Sequence, residues 1–123
     1  MYGKSFHVDL GECDISLFNR HDIDRFFRGV GEIMEVDLEN RYFWDDENTL
    51  EEDKQTDPKK MGISAVQFLL ASNITIHTLP LRREAYIDIF SCDLFDITEV
   101  YDYCIKFFDA HKSTATPLSR GRF

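Results

Sequence analysis

Basic residues are in short supply. Against 23 Asp and Glu the chain has only 14 Lys and Arg, a formal net charge of −9 over 123 residues. Wrapping a phosphate backbone or settling on an anionic membrane needs clustered Lys and Arg, so neither nucleic acid nor membrane is expected as a partner. A small cationic molecule suits this charge better. Long apolar runs are also missing. Nothing approaches the roughly 18 to 20 apolar residues that span a bilayer, and the opening MYGKSFHVDL has no apolar core of a secretory signal. A cytoplasmic location is therefore expected. Cysteine is limited to Cys13, Cys92 and Cys104, an odd number without CxxC spacing, which speaks against a disulfide framework and a zinc site. The histidines His7, His21, His77 and His111 are scattered, and no metal is expected.

What is present suffices for one core. With 43% hydrophobic side chains, 123 residues make one packed domain and are too few for two. Residues 5–10 read as a short strand, followed by turn chemistry in Gly11-Glu12-Cys13-Asp14 and a candidate cap, Asn19 or Asp22. Ile23, Phe26, Phe27, Val30, Ile33 and Met34 recur at helical spacing and predict a helix over about 21–34, with Gly29 and Gly31 weakening its last turns. Residues 35–44 alternate as a strand ending in Tyr42-Phe43-Trp44. Residues 45–60 carry seven acids and three lysines with almost nothing apolar, and predict a solvated, mobile loop. Three strand-like runs fill 62–92, and a second amphipathic helix starts near Asp96. The last stretch, 112–123, has little apolar content and is expected to be a flexible tail.

The order β-α-β-loop-β-β-β-α predicts an α+β fold over residues 1–111, a two-layer sandwich of a mainly antiparallel sheet with both helices on one face. The other face then needs a partner or a ligand. Alternation within Asn73-Ile74-Thr75-Ile76-His77 turns Ile74 and Ile76 to the core and Asn73, Thr75 and His77 away from it. The same parity separates Tyr86, Asp88, Phe90 and Cys92 from Ala85, Ile87, Ile89 and Ser91, so a histidine and a thiol share one half-polar surface.

The segment GISAVQFLLASNITIHTLPLRREAYIDIFSC resembles the core of bacterial S-adenosylmethionine decarboxylase proenzymes, in which a serine precedes an LTIHT-like run and then a cysteine. His77 follows Ser72 by five residues, Cys92 follows His77 by fifteen, and Ser64 precedes Ser72 by eight, each at family spacing. A weaker likeness runs through Val8–Asp14 and the two helices. The resemblance implies a carboxy-lyase made as a zymogen that cleaves itself between Ala71 and Ser72. Ser72 Oγ would attack the Ala71 carbonyl to give an ester. His77 would act as the processing base that takes the Ser72 α-proton so that the ester eliminates, and Ser64 would steady the oxyanion. Hydrolysis with release of ammonia then leaves a pyruvoyl group from Ser72 as the cofactor. That group would form a Schiff base with the amine of an amino-acid-type substrate, with Cys92 returning a proton after carbon dioxide leaves. The implied role is decarboxylation of S-adenosylmethionine for spermidine biosynthesis, in a homodimer or larger homo-oligomer.

The chain departs from the family at two places. It has Ala71-Ser72-Asn73 where the family has Glu-Ser-His, and Leu79-Pro80-Leu81 where the family has Trp-Pro-Glu, the pair that recognises adenosine. Phe43 and Trp44 are the substitutes expected to contact the substrate by stacking. The altered pocket keeps two other readings open. One is a pyruvoyl-dependent arginine or ornithine decarboxylase, with Glu84 or Asp88 facing the distal cation. The other is an unprocessed relative that regulates a partner subunit.

Overall fold

A computed structural model describes all 123 residues. Strand β1 (Gly3–Gly11) leads through a 3-10 turn at Ile15–Leu17 into helix α1 (Arg20–Met34). Strand β2 (Leu38–Trp44) follows, then a second 3-10 turn (Glu51–Asp53). The rest of the chain gives β3 (Ile63–Leu69), β4 (Ser72–Leu79), β5 (Glu84–Ser91), helix α2 (Ile97–Phe108) and β6 (Lys112–Arg120). The six strands form one antiparallel sheet in the order β2-β3-β4-β5-β1-β6.

Local chemistry explains the helix limits. The Asn19 side chain accepts the Asp22 backbone N–H at 2.8 Å and the Asp96 side chain accepts that of Glu99 at 3.1 Å, so each helix opens on an oxygen that satisfies an orphan donor. Gly29, which lowers the helical propensity of α1, is where Tyr103 of α2 comes closest. A Cβ at that position would lie 1.9 Å from the Tyr103 hydroxyl. Packing of the two helices thus outweighs the propensity cost of a glycine, about 1 kcal/mol.

One face of the sheet carries the core. Phe6, Val8 and Leu10 of β1, Ile74 and Ile76 of β4, and Ala85, Ile87 and Ile89 of β5 are buried. Against them lie Ile23, Phe26, Phe27 and Val30 of α1 and Val100, Cys104 and Phe108 of α2. Both helices therefore cover the same face, as the alternation predicts. The opposite, outer face has no layer over it, and it exposes Tyr42, Trp44, Phe68 and Leu118.

The expected flexible tail is corrected by β6. Residues 112–120 pair with β1 from Gly3↔Arg120 to Gly11↔Lys112. An edge strand needs backbone partners more than apolar side chains, and only Ala115 here packs on the core. The acidic stretch 45–60 is largely exposed as expected, yet it is anchored. Arg20 donates to both Asp45 carboxylate oxygens at 2.7 and 2.8 Å and pairs with Glu47 at 2.8 Å.

Candidate active site at two ends of one strand

The β3–β4 hairpin sets the positions of the serines and the histidine. Leu69 pairs with Ser72, which leaves Leu70 and Ala71 as a two-residue turn, and Ser64 falls opposite His77. Ala71 has φ +53°, in the left-handed region that a side chain normally avoids at a cost of order 1 kcal/mol. The bond between Ala71 and Ser72 thus follows directly on a strained residue.

Ser72 and Cys92 meet at this end of the sheet. The Ser72 Oγ accepts the Cys92 backbone N–H at 3.2 Å and donates toward Cys92 Sγ at 3.7 Å. Cys92 Sγ lies 4.0 Å from the Leu70 carbonyl oxygen. Ser72 is 9% exposed, so its hydroxyl is held by Cys92 and largely screened from water.

Ser64 and His77 occupy the other end. Ser64 Oγ lies 2.8 Å from His77 Nδ1, which gives the imidazole an orienting partner. Beside this pair on the outer face stand Trp44, the Cα partner of Ser64, and Tyr86, the Cα partner of His77. Trp44 is 61% exposed there. Phe43 is not beside it. It turns to the helix side, packs on the core and lies under the Arg20 guanidinium at 5.6 Å, so the expected aromatic pair is split across the two faces of the sheet.

His77 and Ser64 do not reach Ser72 within one chain. Five residues of extended β4 separate Ser72 from His77, about 17 Å at a rise of about 3.3 Å per residue. No side-chain rotation closes that gap. Two half-sites exist on one chain, at opposite ends of β4: Ser72 with Cys92 beside the Leu70–Ala71 turn, on the side of Ile74 and Ile76, and Ser64 with His77 on the outer face.

The other two thiols are unlike Cys92. Burial pushes the Cys13 thiol up to about 11 and that of Cys104 to about 12. Both are buried, while Cys92 is partly exposed. Brief treatment of the folded protein with iodoacetamide near pH 8 is expected to modify one cysteine per chain, Cys92, as read by peptide mass mapping. Labelling of Cys13 or Cys104 at a comparable rate would contradict this packing.

Two acids weighed for a distal cation already have partners. The Glu84 carboxylate accepts from Arg82 at 2.8 Å and from Tyr86 at 2.9 Å. The bond from Arg82 foremost, and then that from Tyr86, hold Glu84 below the usual carboxylate range, while the bond to Glu84, with burial, holds the Tyr86 phenol above its own. Asp88 bonds His7 at 2.7 Å. No cluster of three or more His, Cys, Asp or Glu side chains is arranged to hold a metal ion, and no helix is long and apolar enough to cross a membrane.

The family model for S-adenosylmethionine decarboxylase matches residues 4–121. The chain belongs to that family. Its relatives include S-adenosylmethionine decarboxylase proenzymes of Clostridium kluyveri, 38% identical over 63 residues that make up 50% of either chain. Another is that of Geobacillus kaustophilus, 35% identical over 60 residues, 49% of this chain and 48% of the relative. The matched stretch thus spans about half the length of these relatives. The fold matches more widely than the sequence. The adenosylmethionine decarboxylase of Aquifex aeolicus superposes with a TM-score of 0.73 over 99% of this chain and 92% of that one, at 22% identity. That family likeness accounts for the two-layer fold.

Proposed function

We propose that this chain is a self-processing, pyruvoyl-dependent S-adenosylmethionine decarboxylase whose active sites are each assembled from two copies. The observation that carries this reading is Ser72. Its hydroxyl is held by the Cys92 N–H beside the left-handed Ala71, at the start of a strand, next to the carbonyl that it must attack. Attack forms the Ser72 Oγ–C bond and breaks the Ala71–Ser72 peptide bond, giving an ester and a free amine. Removal of the Ser72 α-proton then expels the Ala71 carboxylate. The resulting dehydroalanine takes up water and releases ammonia.

The base for that step comes from a second copy. Two outer faces related by a two-fold axis that lies between them and crosses the strands bring β4 onto β4 with its direction reversed. The Ser72 end of β4, with the Leu70–Ala71 turn and Cys92, then lies over the end that carries the partner subunit's His77, at the spacing of about 10 Å usual for stacked sheets. The exposed Tyr42, Trp44, Phe68 and Leu118 supply apolar area for such a contact.

When formed, the pyruvoyl group supplies a carbonyl that accepts the electron pair left by carbon dioxide. The residues around it fit that use. Ser72 lies at the start of β4 beside the Leu70–Ala71 turn, and Cys92 Sγ stands within reach to deliver a proton. At the other half-site, Trp44 and Tyr86 offer flat faces beside His77 for the substrate's ring. The same reading makes the protein a maker of an aminopropyl donor in the cytoplasm. The occupied state of Glu84 and Asp88 weighs against arginine or ornithine, whose distal cation would have to displace Arg82 or His7. Carbon dioxide release from carboxyl-labelled S-adenosylmethionine, arginine and ornithine decides among them. Release from S-adenosylmethionine alone is expected. Release from either other amino acid at a higher kcat/KM would overturn the substrate assignment while leaving the processing chemistry intact.

A further inference from the structure

The start of β1 closes on the residue that holds Ser72. Gly3 pairs with Arg120 of β6 and, one step beyond the Lys4↔Ser91 pair, lies against the end of β5. A Cβ at Gly3 would lie 2.1 Å from the Ser91 carbonyl oxygen and 2.9 Å from Cys92 Cα. Carbon atoms pack best at about 3.5–4.0 Å, and both neighbours are backbone atoms, which cannot swing aside as a side chain can. Conformation does not call for glycine here, since positive φ among the glycines is confined to Gly62 and Gly121. Glycine weakens a strand, and inside one it marks a place where another backbone comes close. Gly3 is buried at this contact.

The approach is secured on both sides. The Tyr2 ring, next to Gly3, stacks on Phe90 with 6.1 Å between centroids, and the Tyr2 backbone N–H donates to the Arg120 carbonyl at 2.8 Å. Arg120 in turn lies over the Phe90 ring and donates to Ser5 Oγ at 2.8 Å. On the far side of Cys92, Ser91 Oγ accepts the Asp93 N–H at 3.1 Å. The Cys92 peptide is thus held between β1 and its own turn, and its N–H is the donor to Ser72 Oγ at 3.2 Å. Cleavage after Ala71 would leave Gly3 on one fragment and Ser72 with Cys92 on the other, so this contact crosses between the two products.

We propose that Gly3 is a positioning residue for the acyl shift at Ser72: its lack of a side chain lets β1 press the Cys92 N–H into place against the hydroxyl. The proposal rests on the self-processing reading and adds a residue to it. In Gly3→Ala the Ser91–Cys92 backbone has to withdraw by about 1 Å to reach ordinary contact, or the end of β1 has to let go of it. Either way the bond to Ser72 Oγ loses its backing. A misplacement of about 1 Å at a reacting group costs on the order of 10²-fold in rate.

Conversion of newly made full-length chain into its two fragments, followed by denaturing electrophoresis after cell-free synthesis, reads the effect. Gly3→Ala is expected to convert at least about tenfold more slowly than the unaltered chain. Gly11→Ala at the other end of β1, where a Cβ meets nothing nearer than the Lys112 Cβ at 3.3 Å, is expected to convert at the unaltered rate. Hydroxylamine, which cuts an ester and spares a peptide, separates positioning from a general disturbance of the site. A displaced donor slows the acyl shift alone, so no ester collects in folded Gly3→Ala, whereas a general disturbance slows the elimination as well and lets ester build up. Conversion within about twofold of the unaltered chain, or ester collecting in Gly3→Ala, would overturn the role of Gly3 and leave self-processing standing. Where Gly3→Ala yields no folded protein, Tyr2→Ala decides. It removes the stack on Phe90 without adding a clash, and slower conversion is expected, an unchanged rate overturning the proposal. An unaltered chain that is never cut would overturn the self-processing reading and this proposal with it.

Discussion

Co-expressed with a Ser72→Ala chain, a His77→Ala chain is expected to be cut between Ala71 and Ser72 and to acquire a blocked amino terminus, although neither variant is processed alone. In the mixed pair, one site combines Ser72 and Cys92 of the His77→Ala chain with Ser64 and His77 of the other and is complete. The second site lacks both groups. With random pairing about half of the His77→Ala chains lie in such mixed pairs and are cut, which denaturing electrophoresis of differently tagged copies reads. The expectation rests on the strand arithmetic that separates Ser72 from His77 by about 17 Å within one chain. Normal processing of His77→Ala alone would show that this imidazole is not the base. Failure to rescue in mixed pairs would show that the two half-sites do not meet across copies.

Cys92→Ala separates processing from turnover. The bond that holds Ser72 Oγ comes from the Cys92 backbone N–H and survives the loss of the side chain, so the two fragments still form. Proton return after carbon dioxide leaves loses its donor, and turnover falls by about 10²- to 10⁴-fold, the usual range for a positioned acid. An added signature is expected, since a carbanion without its donor is protonated elsewhere and the pyruvoyl group is consumed by transamination over successive turnovers. Carbon dioxide release within about threefold of the unaltered protein would remove Cys92 from the chemistry.

Much of this arrangement is legible in the sequence because strands have a strict period. Ile74 and Ile76 fix the inward face of β4, and from that Asn73, Thr75 and His77 must point outward. Asp96 is an N-cap as its position ahead of an apolar stripe predicts, and of Asn19 and Asp22 the first is the cap. Strand β6 escaped because its pattern consists of small and β-branched residues rather than large apolar ones. Ser113, Thr114, Ala115 and Thr116 satisfy β1 through their backbones, and the threonines are the only compositional sign of a strand.

The family resemblance names the candidate site residues, but their grouping depends on strand register. Spacing along the chain suggests that Ser64, Ser72 and His77 act as one cluster. Register says otherwise. Ser64 and His77 are equally far from the Leu70–Ala71 turn, so a hairpin folded there must pair them with each other and send Ser72 to the far end. Had the two-residue turn been placed first, the Ser64–His77 bond could have been found from the sequence. Tyr86 beside His77 and His7 beside Asp88 depend on the register of β5 against β4 and β1, which no local pattern specifies. Phe43 was paired with Trp44 by adjacency alone, although neighbours in a strand face opposite ways.

The measurement closest to the central claim is the intact mass of the purified protein under denaturing conditions, beside a Ser72→Ala variant. Two fragments are expected, residues 1–71 and a second chain beginning with a pyruvoyl group in place of Ser72 and resistant to amino-terminal sequencing, with a single full-length species in the variant. One full-length mass in both proteins would contradict self-cleavage and, with it, the reading of Ser72 as the source of a catalytic carbonyl.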